Sequence, residues 1–322
     1  MRAVLLEKFG PAENLKIVNL PIPEPAEDEV LIKVQVAGIV FADTQMRRGD
    51  YVQIPPLPFV PGREVSGSIE EVGLEVRGLK TGMRVMAFIA RGGYAEYALA
   101  KAKDVIALPD HIDHLEGIVY LVNLRIAFLN YFIFGKTQPD EAILIHAGAG
   151  GVGTLLTQIA KRRANNTVIT LCSTDEKAAY CKANGADHSI NYKKRNYVEE
   201  VLALTDGLGV DISFNSVGGP TFGTDPLAIR PLGRWMIYGY AAGKDLIDPY
   251  EAIMPKSLAL SIHSVYTVRD REEYRQATDF LLDWLEKEKL DSVSKTFKLE
   301  EIVQAHHWIE NQHSIGKIAI MM

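Results

Sequence analysis

The stretch EAILIHAGAGGVGTLLTQIAKRRANNTVITLCSTDEK, Glu141–Lys177, constrains the fold of this chain more than any other. An apolar run, Ala142–Ala147, leads into Gly148-Ala149-Gly150-Gly151-Val152-Gly153, and an amphipathic segment continues to Arg163. The order is strand, tight turn, helix. The glycines fit G-x-G-x-x-G, in which absent Cβ atoms let the backbone N–H groups at a helix start approach a pyrophosphate. The six-residue pattern alone is a weak signal, and its position between a strand and a helix is what gives it meaning. A turn that merely packs would not need the glycines after Ala147, so Ala149, Gly150, Gly151 and Val152 form the expected phosphate cradle.

In dinucleotide-binding folds an acidic residue about 20 positions further on accepts hydrogen bonds from the adenosine ribose and repels a 2′-phosphate. Here the second strand, Val168–Cys172, ends in Ser173 and Thr174, with Lys177 close behind. Two hydroxyls and an ammonium suit a phosphorylated ribose, which favours NADPH over NADH. Asp175 and Glu176 are the contrary signal, since either can turn inward.

The rest of the chain divides into two rhythms. Short β-rich pieces, Glu29–Val36, Glu64–Val72, Arg84–Phe88 and Gly93–Ala98, are bounded by Pro and Gly and predict a barrel-like β domain. After Leu121, the strands Ala142–Ala147, Val168–Cys172, Val210–Ser216 and Arg234–Gly239 are interleaved with helices, including Val152–Arg163 and Glu176–Asn184. That alternation predicts a doubly wound parallel sheet. Within Glu272–Lys289 the apolar residues Tyr274, Ala277, Phe280, Leu281, Trp284 and Leu285 recur at helical spacing and read as a core-facing stripe. At 322 residues and 47% hydrophobic content, the chain is long enough for two such domains.

A net charge of -6 gives no electrostatic case for nucleic acid or an anionic membrane, and the basic clusters Lys161–Arg163 and Lys193–Arg195 read as solvated surface. Two cysteines, Cys172 and Cys181, cannot build a disulfide framework, so a reducing compartment fits. The opening MRAVLLEKFG lacks the h-region of a signal peptide. The apolar run Tyr120–Phe134 carries Asn123, Arg125 and Asn130 and reads as too short and too polar to span a bilayer. The expectation is a cytoplasmic protein with no nucleic-acid partner and no membrane span.

Nine stretches, spread over nearly the whole chain, carry a family resemblance: AGIVFADTQMRRGDY (37–51), LPFVPGREVSGSIEEVG (57–73), GMRVMAF (82–88), GGYAEYALA (92–100), HAGAGGVGTLLTQIA (146–160), GADHSINY (185–192), VDISFNSVGG (210–219), LGRWMIYG (232–239) and SIGKIAI (314–320). Together they resemble the medium-chain dehydrogenase/reductase superfamily in its zinc-independent, quinone-oxidoreductase-like branch. The resemblance implies an α/β protein with a GroES-like β-rich catalytic domain, 1–121 and 262–322, and a Rossmann NADPH-binding domain, 122–261, with the active site between them. It also implies a homodimer joined through a sheet edge, for which Ser257–Ser264 is the candidate.

Zinc-dependent members of that superfamily hold their metal with an early Cys and the His of a Gly-His-Glu segment. Those positions read Val40 and Arg63 here; valine offers no ligand atom and a guanidinium does not deprotonate. Two cysteines are also too few for a four-cysteine structural site. His306, His307 and His313 read as helix-surface residues, so no metal site is expected. Without a Lewis acid, alkoxide or ketone activation is difficult, whereas a quinone or the β-carbon of an α,β-unsaturated carbonyl accepts hydride readily. The expected partner is such a small electrophile.

The remaining site residues come from the resemblance. Tyr51 matches a cleft tyrosine able to donate to an enolate oxygen, and Asp43 an acid with an organising or proton-transfer role. Lys177 and Tyr192 match contacts to the adenosine phosphate and ribose, Lys317 a basic residue near that pocket, and Gly239 with Tyr240 the nicotinamide side of the groove. Val40 and Ile126 stand where the family has Asn and Thr beside the nicotinamide, and Gln45 where it often has Tyr. These departures leave a more apolar pocket, for which Asn123 and Arg125 are the candidate polar compensation, Asn123 as a cofactor contact. An enoyl-thioester reductase of secondary metabolism and a weakly catalytic NADPH-binding regulatory protein are the alternatives.

Overall fold

The computed structural model describes residues 1–244, 248–288 and 294–322. By contacts the chain forms two compact units, 1–122 with 284–322, and 123–283. The first unit starts with an antiparallel pair, β1 (Arg2–Leu6) and β2 (Leu15–Asn19). β3 (Glu29–Ile39) is followed by helix α1 (Phe41–Arg48) and strands β4 (Glu64–Val72), β5 (Arg84–Phe88), β6 (Tyr97–Lys101) and β7 (Val105–Ala107), then by α2 (His114–Leu121). The expected strands at 64–72 and 84–88 coincide with β4 and β5, whereas Gly93–Ala98 gives way to a later strand, β6. β3 organises the sheet because it serves more than two partners. One edge pairs with β4 along Val30–Gly38, while β6 takes Glu29–Lys33 of the other. Register shifts at Leu31/Ile32 and Val34/Val36 bend it, as bulges do. Its inward residues, Val30, Ile32, Val34 and Ile39, join Val4, Leu6, Val65 and Val85 in one buried core.

The second unit runs α3 (Asn123–Phe128), β8 (Ala142–Ile145), α4 (Gly151–Arg163), β9 (Thr167–Cys172), α5 (Asp175–Ala183), β10 (His188–Asn191), α6 (Tyr197–Leu204), β11 (Val210–Asn215), α7 (Asp225–Ala228), β12 (Ile229–Ile237), α8 (Pro249–Ile253), β13 (Ala259–Ile262) and α9 (Glu272–Lys287) as far as Asp283. The expected end of α9 at Lys289 lies outside the described residues. The strands are parallel, in the order β10-β9-β8-β11-β12-β13. This is the doubly wound arrangement: the chain runs outward from β8 and then restarts on its other side with β11, which leaves a switch point between those two strands. Ile143, Leu144 and Ile145 are fully buried, as strands covered on both faces require. The chain then returns to the first sheet through β14 (Ser294–Lys298), α10 (Ile302–Glu310) and β15 (Lys317–Met321), which pairs with Val36–Ile39 of β3.

Two expectations meet a different structure here. Residues 262–283, expected with the first domain, pack in the second unit, because Val268, Ala277 and Phe280 cluster with Phe128, Leu129 and Phe132. The apolar run read as Tyr120–Phe134 is part of a longer helical segment, His114–Phe134, which by length and composition alone is apolar enough to cross a bilayer. However, 72% of its most apolar window is buried inside the molecule, as in a core helix.

Candidate functional site

The glycine turn stands at the C-terminal end of β8. Ala147 adopts a left-handed backbone, φ +49°, and its carbonyl accepts from Gly150 N at 2.8 Å, which closes the turn. A Cβ on Gly148 would fall 2.5 Å from Thr170 Cβ, one on Gly151 2.3 Å from Asn123 Nδ2, and one on Gly153 2.5 Å from Ala147 O. Packing alone therefore demands glycine at 148 and 153, and at 151 unless the Asn123 amide moves aside, contrary to the expectation that a packing turn would not need them. Gly150 is different: a Cβ there would meet only Ala147 O, at 3.1 Å, and would otherwise fill open space. α4 begins at this point without a side-chain cap, so the N–H groups of its first turn and its positive dipole end are offered outward. The expected Ala149, Gly150, Gly151 and Val152 thus come together at one helix start, with Asn123 against Gly151.

The end of β9 supplies a second group of residues. Ser173 is buried, and Thr174 caps α5, its Oγ1 accepting from Lys177 N at 3.2 Å. Burial, with the neighbouring Lys193 ammonium, holds Lys177 below the usual lysine range. An anion placed there would relieve both effects. Tyr192 is 40% exposed and hydrogen-bonds Ser173. The contrary signal has an answer for one of its two acids: the Asp175 carboxylate is held by Lys194 Nζ at 2.5 Å and Asn191 Nδ2 at 2.8 Å, which draw it toward β10. Glu176 is exposed.

Gly239 and Tyr240 follow β12, against the loop that follows β11. A Cβ on Gly239 would fall 2.7 Å from Ser216 O, and one on Gly218 3.0 Å from Tyr240 Cα. The ammonium of Lys244 stands 4.3 Å from the centroid of the Tyr240 ring.

The other expected residues belong to the first unit. Asp43 is buried in the first turn of α1, where Oδ2 accepts from Val40 N at 3.0 Å and from Tyr94 OH at 2.9 Å. Burial raises its pKa to about 6. These contacts anchor α1 to Tyr94, and Val40 contributes its backbone N–H to that anchor. Beside α1, Arg63 is buried with its guanidinium 3.5 Å from Tyr51 OH and over the rings of Tyr51 and Phe88, at 5.6 and 4.8 Å. Sequence reasoning treated Arg63 only as a lost zinc ligand and missed that it backs Tyr51, the tyrosine nominated for catalysis. Lys317 differs from expectation: its ammonium is buried and donates to Glu64 Oε2 at 2.5 Å, so a carboxylate takes the charge expected near the adenosine phosphate. His306 is a correction as well. It is fully buried against Tyr94 rather than on the helix surface, and burial lowers its pKa to about 3. His307 and His313 are exposed. Arg125 is buried and donates to Tyr274 OH at 2.6 Å.

An uncapped helix start with open space at Gly150, followed by hydroxyls and a cation at the end of the next strand, fits a dinucleotide laid across the switch point. A Rossmann unit of this kind combined with a GroES-like β unit defines a class of oxidoreductases that take an NAD(P)-type nucleotide. Two family models match the chain: the alcohol dehydrogenase GroES-like domain over residues 26–110 and the zinc-binding dehydrogenase domain over 151–283. Rat quinone oxidoreductase is 30% identical over 325 residues, covering 100% of this chain and 97% of the relative. A 2-haloacrylate reductase from Burkholderia sp is 31% identical, with 100% and 98% covered. The structure of Escherichia coli quinone oxidoreductase complexed with NADPH superposes with a TM-score of 0.95 at 26% identity, covering 100% of both chains. The chain belongs to the medium-chain dehydrogenase/reductase superfamily, in its quinone-oxidoreductase-like branch. Among the described residues no group of three or more His, Cys, Asp or Glu side chains is placed to hold a metal ion.

Proposed function

We propose that this chain is a zinc-independent reductase that uses NADPH and reduces a quinone or an activated alkene. The observation that carries the coenzyme choice is the end of β9, where Ser173, Thr174 and Lys177 replace the usual acid while Asp175 is tied back by Asn191 and Lys194. In this reading Ala149–Val152 hold the pyrophosphate, Ser173, Thr174, Lys177 and Tyr192 the phosphorylated ribose, and Asn123, Gly239 and Tyr240 the nicotinamide half. When bound, the coenzyme supplies the hydride.

The chain's own part is to orient the acceptor and to stabilise the negative charge that grows on its oxygen. Tyr51 donates a hydrogen bond to that oxygen, and the buried Arg63 charge behind it favours the developing anion. Asp43 and Tyr94 hold α1, and with it Val40, in place. The apolar Val40 and Ile126 suit a flat or conjugated acceptor. A quinone and a 2-haloacrylate, named for the relatives, are both electron-poor alkenes next to a carbonyl or carboxyl group. The reading includes a cytoplasmic homodimer, supported by two free, buried cysteines and by β13, an edge strand that exposes 74% of Ile262.

The test is loss of NADPH absorbance on adding small quinones, enones and 2-haloacrylates. Turnover of at least one class is expected, with kcat lowered about tenfold or more by Tyr51→Phe and by Arg63→Met. Tight NADPH binding with no turnover across the panel would overturn this reading and favour a regulatory NADPH-binding protein.

A further inference from the structure

Asp225, the first residue of α7, is fully buried in the second unit, and its carboxylate accepts five hydrogen bonds. Oδ1 accepts from His146 Nε2 at 2.7 Å and Tyr197 OH at 3.0 Å. Oδ2 accepts from Ser213 Oγ at 3.0 Å, Asn215 Nδ2 at 2.8 Å and Trp235 Nε1 at 3.0 Å. Burial pushes its pKa up, and His146, Asn215 and Ser213 more than reverse this, so that it lies below the usual carboxylate range. A saturated buried carboxylate of this kind is rigid, because each donor it releases leaves an uncompensated group in a dry interior.

Two of the five donors lead to loops on opposite sides of the switch point. His146 follows β8 and directly precedes Ala147, where the glycine turn starts; its backbone N–H also bonds Phe214 O of β11, at 3.0 Å. Asn215 ends β11, and its Oδ1 accepts from Val217 N at 2.8 Å and Gly218 N at 2.9 Å. The loop after β12 leans on that second loop through Ala242 N to Val217 O at 2.7 Å and Gly219 N to Gly243 O at 3.0 Å.

We infer that Asp225 is a positioning residue: through His146 and Asn215 it sets the separation of the glycine turn and the Val217–Gly218 loop, and thereby the fit of the nicotinamide half of the dinucleotide. This rests on the dinucleotide reading above. It differs from a general stabilising role because the adenosine end, at Ser173 and Lys177, lies outside the two loops that Asp225 ties together.

The experiment compares the binding of NADPH and of adenosine 2′-monophosphate, which carries no phosphate for the glycine turn, to the wild type and three variants. Asp225→Asn keeps the shape but turns an acceptor into a donor, and is expected to weaken NADPH about tenfold or more while leaving the monophosphate within about twofold. Asn215→Ala cuts the branch to Val217 and Gly218, together with the amide's own bonds to Asp225 and Thr221, and leaves the His146 branch in place; it is expected to show the same split, and it decides the matter if Asp225→Asn fails to fold. Tyr197→Phe removes a donor that reaches neither loop, and both ligands are expected to stay within about twofold. Parallel weakening of both ligands, unchanged NADPH binding in the folded variants, or a loss from Tyr197→Phe equal to that from Asn215→Ala would overturn the inference. Failure of the wild type to bind either ligand would instead overturn the dinucleotide reading.

Discussion

Two buried carboxylates, one in each unit, are held in different ways. In the second unit the carboxylate of Asp225 collects donors from the end of β8, α6, β11 and β12, and both of its oxygens are satisfied. In the first, Asp43 Oδ1, Glu64 Oε1, Arg47 Nε and Nη1 and both ring nitrogens of His306 are buried without a hydrogen-bond partner. A saturated network fixes the loops it reaches and suits a cradle that must be ready before its ligand arrives. Unsatisfied groups reduce stability, and proteins keep them mainly where a site needs them. Unsatisfied atoms occur in both units, Arg125 Nε and Thr137 Oγ1 of the second among them, but the half-satisfied carboxylates of Asp43 and Glu64 lie in the unit that carries Tyr51 and Arg63.

The buried ion pair of the first unit gives the largest expected effect. Lys317→Met leaves the Glu64 carboxylate buried and unpaired, and is expected to cost about 3–5 kcal/mol in urea unfolding, with most of it regained in the Glu64→Gln, Lys317→Met double variant. A loss below about 1 kcal/mol would make the first unit as tolerant as any exposed pair.

His306 gives a smaller, pH-dependent effect. Its folded pKa is lowered to about 3, so the unfolded chain takes up a proton first, and stability from this group falls as pH drops below the ordinary histidine value of about 6.5. The loss between pH 7 and pH 5 is about 2 kcal/mol, and His306→Phe is expected to abolish it in thermal or urea unfolding. Asp43 works in the other direction. Its folded pKa is raised to about 6, so the folded chain takes the proton first and gains stability as pH falls from above 6 toward about 4. His306→Phe is therefore expected to be more stable at pH 5 than at pH 7, and adding Asp43→Asn should flatten that rise. A variant that keeps the wild-type slope would show that His306 is not the group that titrates.

The smallest expected effect lies in the second unit and concerns affinity. Lys177→Ala should weaken NADPH about tenfold and leave NADH nearly unchanged, because only the phosphorylated ribose uses the ammonium. An equal loss for both coenzymes would assign Lys177 to the helix α5 rather than to a phosphate.

What the sequence made legible was local. The turn at Gly148–Gly153, the end of β9 and the strands β4 and β5 follow from neighbours a few residues apart, through steric demands on glycine and through side-chain periodicity. Long-range pairs were not legible. Glu64 meets Lys317 across 253 positions and Asp43 meets Tyr94 across 51, and no spacing rule joins them. His306 had a local signal that went unread. With Ile302 and Ala305 it forms the buried stripe of α10, and its polar neighbours His307 and Glu310 obscured that pattern. The glycine turn also taught a correction, since packing against Thr170, Asn123 and the turn's own backbone explains most of its glycines and leaves Gly150 as the position that speaks for a ligand.

The most direct measurement is a titration of the wild-type protein with NADPH and with NADH, followed by nicotinamide fluorescence. NADPH is expected to saturate and to bind at least about tenfold more tightly than NADH. Equal or tighter binding of NADH, or no saturable signal with either, would contradict the phosphate-binding role of Ser173, Thr174 and Lys177.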